Sequence, residues 1–154
     1  DLMYRHPDEP NFASFAAAVK AGNPDSLVAF NPGVKVPVVC HSEYEDYTAG
    51  EIADSFPVCM DSHWGRASKP EKYWGMPIRR FVNGAQYHVL TFMGPYWCRG
   101  TPRFTDALVV GYTAHINACE GVISWDVPTS AAGAIPEAFM AQFRVLRDAT
   151  RGPR

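Results

Sequence analysis

Apolar positions recur along this chain in two periods, one helical and one extended. Phe12, Phe15, Ala16 and Val19 share one helix face. Asp8-Glu9-Pro10 reads as the start of that helix, with Asp8 at the N-cap and Pro10 in the first turn. Gly22-Asn23-Pro24 stops it. Ser26-Leu27-Val28-Ala29-Phe30 is a short continuous apolar run, which predicts a strand buried on both faces. Residues 34–39 are β-prone but hold Pro37, which predicts an edge strand or an extended loop. The acidic, aromatic stretch Glu43-Tyr44-Glu45-Asp46-Tyr47 leads into Thr48-Ala49-Gly50-Glu51-Ile52, predicted as a second strand with Glu51 near its end.

Residues 53–84 are rich in Pro, Gly, Ser and aromatics with little period, and predict a long loop. Residues 86–92 predict a strand, and residues 94–100 a loop carrying Tyr96 and Trp97. Phe104, Leu108, Gly111, Tyr112, His115 and Cys119 fall on one helical face. Gly121-Val122-Ile123-Ser124-Trp125-Asp126 is the final strand. Gly133-Ala134-Ile135-Pro136 then opens a helix striped by Phe139, Phe143 and Leu146. Residues 151–154 form a frayed tail.

Strands that alternate with helices imply parallel pairing and right-handed crossovers. The order predicts an α/β fold with about four βα units over residues 1–150, half of what a closed (β/α)8 barrel requires. Composition narrows the function classes. Nine Phe, seven Tyr and four Trp suffice for a real core in one domain. A net charge of −2 with no basic stripe argues against a nucleic-acid partner and gives no support for an anionic membrane surface. No apolar run approaches the roughly 20 residues that span a bilayer. Cys40, Cys59, Cys98 and Cys119 form no C-x-x-C pair and are read as buried thiols rather than bridges. The chain opens Asp1-Leu2-Met3-Tyr4, which suggests a start that is processed or cut from something longer.

Three segments carry a family likeness. Thr48-Ala49-Gly50-Glu51 resembles the segment that holds the general acid/base in retaining α-L-fucosidases. The run from Cys119 to Pro128 is similar to the last barrel strand of those glycoside hydrolases, and Gly133-Ala134-Ile135-Pro136 matches the turn that follows it. The resemblance covers nearly the whole chain in order. It implies the C-terminal half of a TIM barrel, with Glu51 as acid/base. Trp125-Asp126 stand where the family strand usually ends in Asn, and the family's nucleophile strand has no counterpart, since Asp1 and Asp8 lack an apolar strand before them. Retaining hydrolysis needs two carboxyls about 5–5.5 Å apart, so Asp126 is the substitute partner for Glu51. A half barrel leaves strand edges unpaired, and the expected cure is a homodimer that rebuilds the barrel about a two-fold axis.

Around that pair, Asn31, His88, Trp97 and Trp125 are candidates for contact with a small-molecule or carbohydrate substrate. Trp64 and Tyr96 are further stacking candidates, each weighed against an ordinary core role. His41 and Glu43, two apart on an extended segment, point the same way. With His88 they are candidate ligands for zinc or another divalent metal, Glu45, Asp46 and Glu51 being further donors. The alternative there is a solvated acidic loop and a hydrogen-bonded core histidine. His63 and His115 carry weaker signals, packing being expected for His115. Cys98 beside Arg99 suggests a thiol with a lowered pKa. The expected function is a hydrolase using Glu51 and Asp126 on a glycoside or activated ester. The alternatives are a zinc-dependent hydrolase of esters or phosphoesters at a dimer-shared site, and a carbohydrate-binding fragment without catalysis.

Overall fold

The computed structural model describes residues 10–31, 33–34, 38–52 and 79–151. Asp1, Asp8, Cys59, His63 and Trp64, the centre of the 34–39 run, most of the 53–84 loop and the end of the tail lie outside the described residues.

The first helix, α1 (Phe12–Gly22), starts later than the sequence suggested. Its N-cap is Asn11, whose Oδ1 accepts the Ser14 N–H at 3.0 Å. Asparagine satisfies an orphan donor of the first turn as aspartate would. Phe12 and Ala16 bury, and Phe12 packs on Phe30 with ring centroids 4.7 Å apart. Phe15 and Val19, expected on the same stripe, stay exposed.

The next extended run, residues 26–30, does not enter a ladder, and Leu27 is 72% exposed rather than buried. Its backbone is satisfied mostly by carboxylates. The N–H groups of Val28 and Phe30 donate to Asp46 Oδ2 at 2.8 Å and Glu45 Oε1 at 3.0 Å, while the Asp46 N–H donates to Val28 O. Glu45 is buried as the hub of this corner, because it also accepts the N–H groups of His41 and Ser42 and the Cys40 thiol. A buried carboxylate is tolerated when donors surround it.

Phe81–Val82 (β1) and Ala85–Gln86 (β2) form an antiparallel hairpin. Asn83 and Gly84 both take positive φ, 50° and 91°, as a two-residue type I′ turn requires. The sequence pattern alone places residues 81–84 in the long loop and Gln86 in the following strand. His88–Phe92 (β3) then pairs in parallel with Val122–Asp126 (β4), in the register His88↔Val122, Leu90↔Ser124, Phe92↔Asp126. On the other side of β3 runs the segment 46–52, bridged in parallel at Tyr47↔Gln86 and Glu51↔Leu90.

Between β3 and β4 lies α2 (Asp106–Ala118), capped by Thr105 Oγ1 accepting the Leu108 N–H. Its buried stripe is Val109, Tyr112, Thr113 and Ile116, with Gly111 and His115 exposed. The inferred face shared only Tyr112 with it. Strand alternation sends Tyr87, Val89, Ile123 and Trp125 to the face that α2 covers, where they join Ile52, Val38 and Val82. The last helix, α3 (Glu137–Thr150), lays Phe139, Phe143 and Leu146 against Val109 and Met93, as its stripe implied. Full burial of Phe139 contributes about 2–3 kcal/mol.

The half-barrel expectation is therefore corrected. The described residues hold three helices and two two-stranded sheets, and no barrel closes. Among the described residues, β3–α2–β4 is the one complete βαβ unit. The 26–30 run is held by side chains, the approach to β3 is a hairpin, and the described residues do not form the four units that a barrel completed by homodimerisation presupposes. No helix of the described residues is long and apolar enough to cross a membrane.

Candidate active site

With α2 on one face of β3 and β4, the even-numbered residues of both strands occupy the other. His88, Leu90 and Phe92 stand there beside Val122, Ser124 and Asp126. The Glu51↔Leu90 bridge adds Glu51 to the same face. One row across the sheet thus reads Glu51, Leu90, Ser124, with His88 one row behind and Phe92 and Asp126 one row ahead.

His88 is 9% exposed, and both ring nitrogens are engaged. Nδ1 lies 2.9 Å from Thr48 O, and Nε2 lies 2.8 Å from Ser124 Oγ. A carbonyl oxygen only accepts, so Nδ1 carries the proton and the neutral ring leaves Nε2 as the acceptor for the Ser124 hydroxyl. Burial lowers the imidazole pKa from its ordinary 6.5, and the backbone of Thr48 and then Ala49 pulls the other way. Tyr47 packs its ring edge-on at 5.3 Å from the imidazole.

An irregular ladder produces this placement. In a regular parallel pair the His88 N–H would reach Thr48 O. Here Thr48 Oγ1 takes that N–H and itself donates to His88 O, both at 2.9 Å. Thr48 O is thereby released to hold the imidazole. Gly50, at φ 61°, completes the distortion, because a Cβ there would sit 1.8 Å from His88 O. Only glycine fits both the conformation and the approach.

Of the expected site residues, the structure joins Asn31 to Glu51, whose Oε2 accepts from Asn31 Nδ2 at 2.8 Å. Asn31 Oδ1 in turn accepts the Gly33 N–H. Glu51 and Asp126 share a face but not a site. They lie on opposite sides of β3, Glu51 on the bridged segment 46–52 and Asp126 on β4, and one row apart, with Cα atoms about 12 Å from each other by strand geometry. The Asp126 carboxylate is occupied by the N–H of Cys98 at 2.7 Å and its thiol at 3.2 Å. Those same contacts, the hydrogen bond first and then the charge, raise the Cys98 pKa, opposite to the lowered value expected beside Arg99. Trp97 covers Phe92 with ring centroids 4.8 Å apart. Trp125 faces α2, giving its indole N–H to Thr113 Oγ1 at 3.1 Å.

The metal candidates lie in different settings. His41 is exposed, with its ring 5.2 Å from that of Phe12. Glu43 is exposed in a turn, whereas His88 is enclosed by Thr48 and Ser124. Among the described residues no group of three His, Cys, Asp or Glu side chains could hold a metal ion.

Ser124 is the functional candidate that sequence reasoning passed over. Its signal was the alternation Val122, Ser124, Asp126, which places it on the polar face of β4, but its partner could be known only from the register with β3. Compared with protein-family models, with curated proteins and with solved structures, the chain finds no match.

Proposed function

We propose that this chain hydrolyses activated esters, with Ser124 as nucleophile and His88 as general base. One observation carries the reading: a hydroxyl within 2.8 Å of an imidazole nitrogen whose other nitrogen is fixed by a backbone carbonyl. That is the geometry of an activated nucleophile, a base and an orienting group. Ser124 is exposed and reachable by substrate, while His88 is buried and held neutral, which makes it a base at neutral pH.

The chemistry runs in two halves. Ser124 Oγ attacks the ester carbonyl as its proton passes to His88 Nε2, and the alkoxide or phenolate leaves with that proton. Water then attacks the acyl-serine with His88 again as base, and the acid product departs while Ser124 recovers its proton. Thr48 O remains an acceptor of Nδ1–H throughout and stabilises the transient imidazolium.

The strand setting limits the substrate. The ladder takes the Val122 N–H to Tyr87 O, and its two-residue repeat commits the Ser124 N–H to β3 as well. A serine at a sharp strand-to-helix turn has a neighbouring N–H free for the oxyanion. A serine in mid-strand gives up its own, and one such donor is worth about 100-fold or more in rate. Good leaving groups, such as phenolates, are therefore favoured over amides.

The test is turnover of p-nitrophenyl acetate by the wild type, Ser124→Ala and His88→Asn. Asparagine retains a donor toward Thr48 O but has no base where Nε2 stood. Each variant is expected to lose about 100-fold or more in kcat/KM, and a fluorophosphonate probe is expected to label Ser124 alone. Wild-type turnover in Ser124→Ala, or labelling elsewhere, would overturn the reading.

A further inference from the structure

Glu51 is half-buried on the face of the dyad, two strands from Ser124 and in the same row, with half-buried Leu90 between them. Its only hydrogen bond among the described residues is the one that Oε2 accepts from the neutral Asn31 amide. The ion pairs of the described residues are Lys20–Asp46, Arg80–Glu120, Arg144–Glu137 and Arg147–Asp148, so no cation there answers Glu51. Asn31 is itself pinned by the Gly33 N–H, which holds the carboxylate in one orientation. The second oxygen, Oε1, is thus an oriented acceptor whose partner the described chain does not supply. Asp126, by contrast, has its carboxylate taken by Cys98.

We infer that Glu51 is the specificity-determining residue of this site, and that the preferred ester carries an ammonium group on its acyl chain. The inference rests on the Ser124–His88 reading for its chemistry. Two inter-strand spacings, about 10 Å, separate Glu51 from Ser124 along their row. An acyl carbonyl at Ser124 with a flexible chain of about six bonds crosses Leu90 with methylenes and brings a cation to Oε1. Methylenes over an apolar side chain and a charge-assisted hydrogen bond at the far end match the order of groups on the sheet.

Two matched esters test it, p-nitrophenyl 6-aminohexanoate and p-nitrophenyl heptanoate, which differ by an ammonium in place of a methyl group. The wild type is expected to favour the ammonium ester about tenfold in kcat/KM, with the gain in KM. In Glu51→Gln the ratio is expected to fall to about one. Glutamine retains an oxygen for Asn31, so loss of preference reports charge and not collapse of the loop. The preference is also expected to weaken as salt rises. A ratio near one in the wild type, or a ratio that survives Glu51→Gln, overturns the proposal. Binding to Ser124→Ala of the uncleavable N-methyl-6-aminohexanamide, against N-methylheptanamide, separates the two readings. A Glu51-dependent binding preference without wild-type turnover would sink the esterase and keep the cation site. Turnover without that preference would sink the cation site alone.

Discussion

At His88 the two ring nitrogens are told apart by their partners, a carbonyl on one side and a hydroxyl on the other. The distinction has a pH signature. Burial lowers the folded imidazole's pKa below its ordinary 6.5, so ester turnover is expected to rise through a midpoint below that value and level off by neutrality. Stability follows with the same sign. The unfolded chain takes up this proton near 6.5 and the folded chain only at lower pH, so acid favours unfolding between the two values. Denaturant midpoints measured from pH 7 downward are expected to fall over that window, and less so in His88→Asn. A midpoint of turnover above 6.5 would show a base other than this imidazole. Cys98, whose thiol pKa is raised by the Asp126 carboxylate, is expected to react with mild alkylating agents at neutral pH more slowly than in Asp126→Asn.

Among the elements, the segment 46–52 is the one whose regularity has been given up for the site. Gly50→Ala would place a Cβ 1.8 Å from His88 O in a backbone of positive φ. It is expected to cost at least about 2 kcal/mol in chemical denaturation and to reduce turnover with Leu90 and Ser124 untouched. How far the elements could be read beforehand follows from what period alone contains. Strand β3, strand β4 and the stripe of α3 were legible because their apolar positions repeat cleanly. The stripe of α2 was not, since Leu108, Val109 and Val110 offer every rotation an apolar residue and the neighbours decide which one buries. The β1–β2 hairpin was signalled by Asn83-Gly84 between two short β-prone pairs, a local cue overshadowed by the irregular sequence ahead of it. Glu51 and Asn31 were legible as polar groups at strand ends, and His88 as one within a strand. That His88 meets Ser124, and that Glu51 meets Asn31 instead of Asp126, depends on pairing between segments 20 to 40 residues apart, and no local pattern encodes that.

At the scale of the molecule, one βαβ unit and a docked helix bear most of the order among the described residues, in place of the repeated units that the sequence predicts. Its keystone is Phe139, fully buried where α3 meets α2 and Met93. Phe139→Ala is expected to destabilise the protein by about 3–5 kcal/mol. If α3 only decorated the surface, thermal and denaturant unfolding of that variant would match the wild type. The parallel register of β3 and β4 reaches further than stability. The pleat forbids a one-residue shift, which would turn the core side of β4 to solvent, so the strand can move only in steps of two. One such step sets Val122 against the imidazole, and the opposite step sets Asp126 there. The first would leave an inert contact and the second a plain ion pair, so the alignment that lets β4 fit its neighbour is also a three-position selector, of which a single setting brings a hydroxyl to the imidazole.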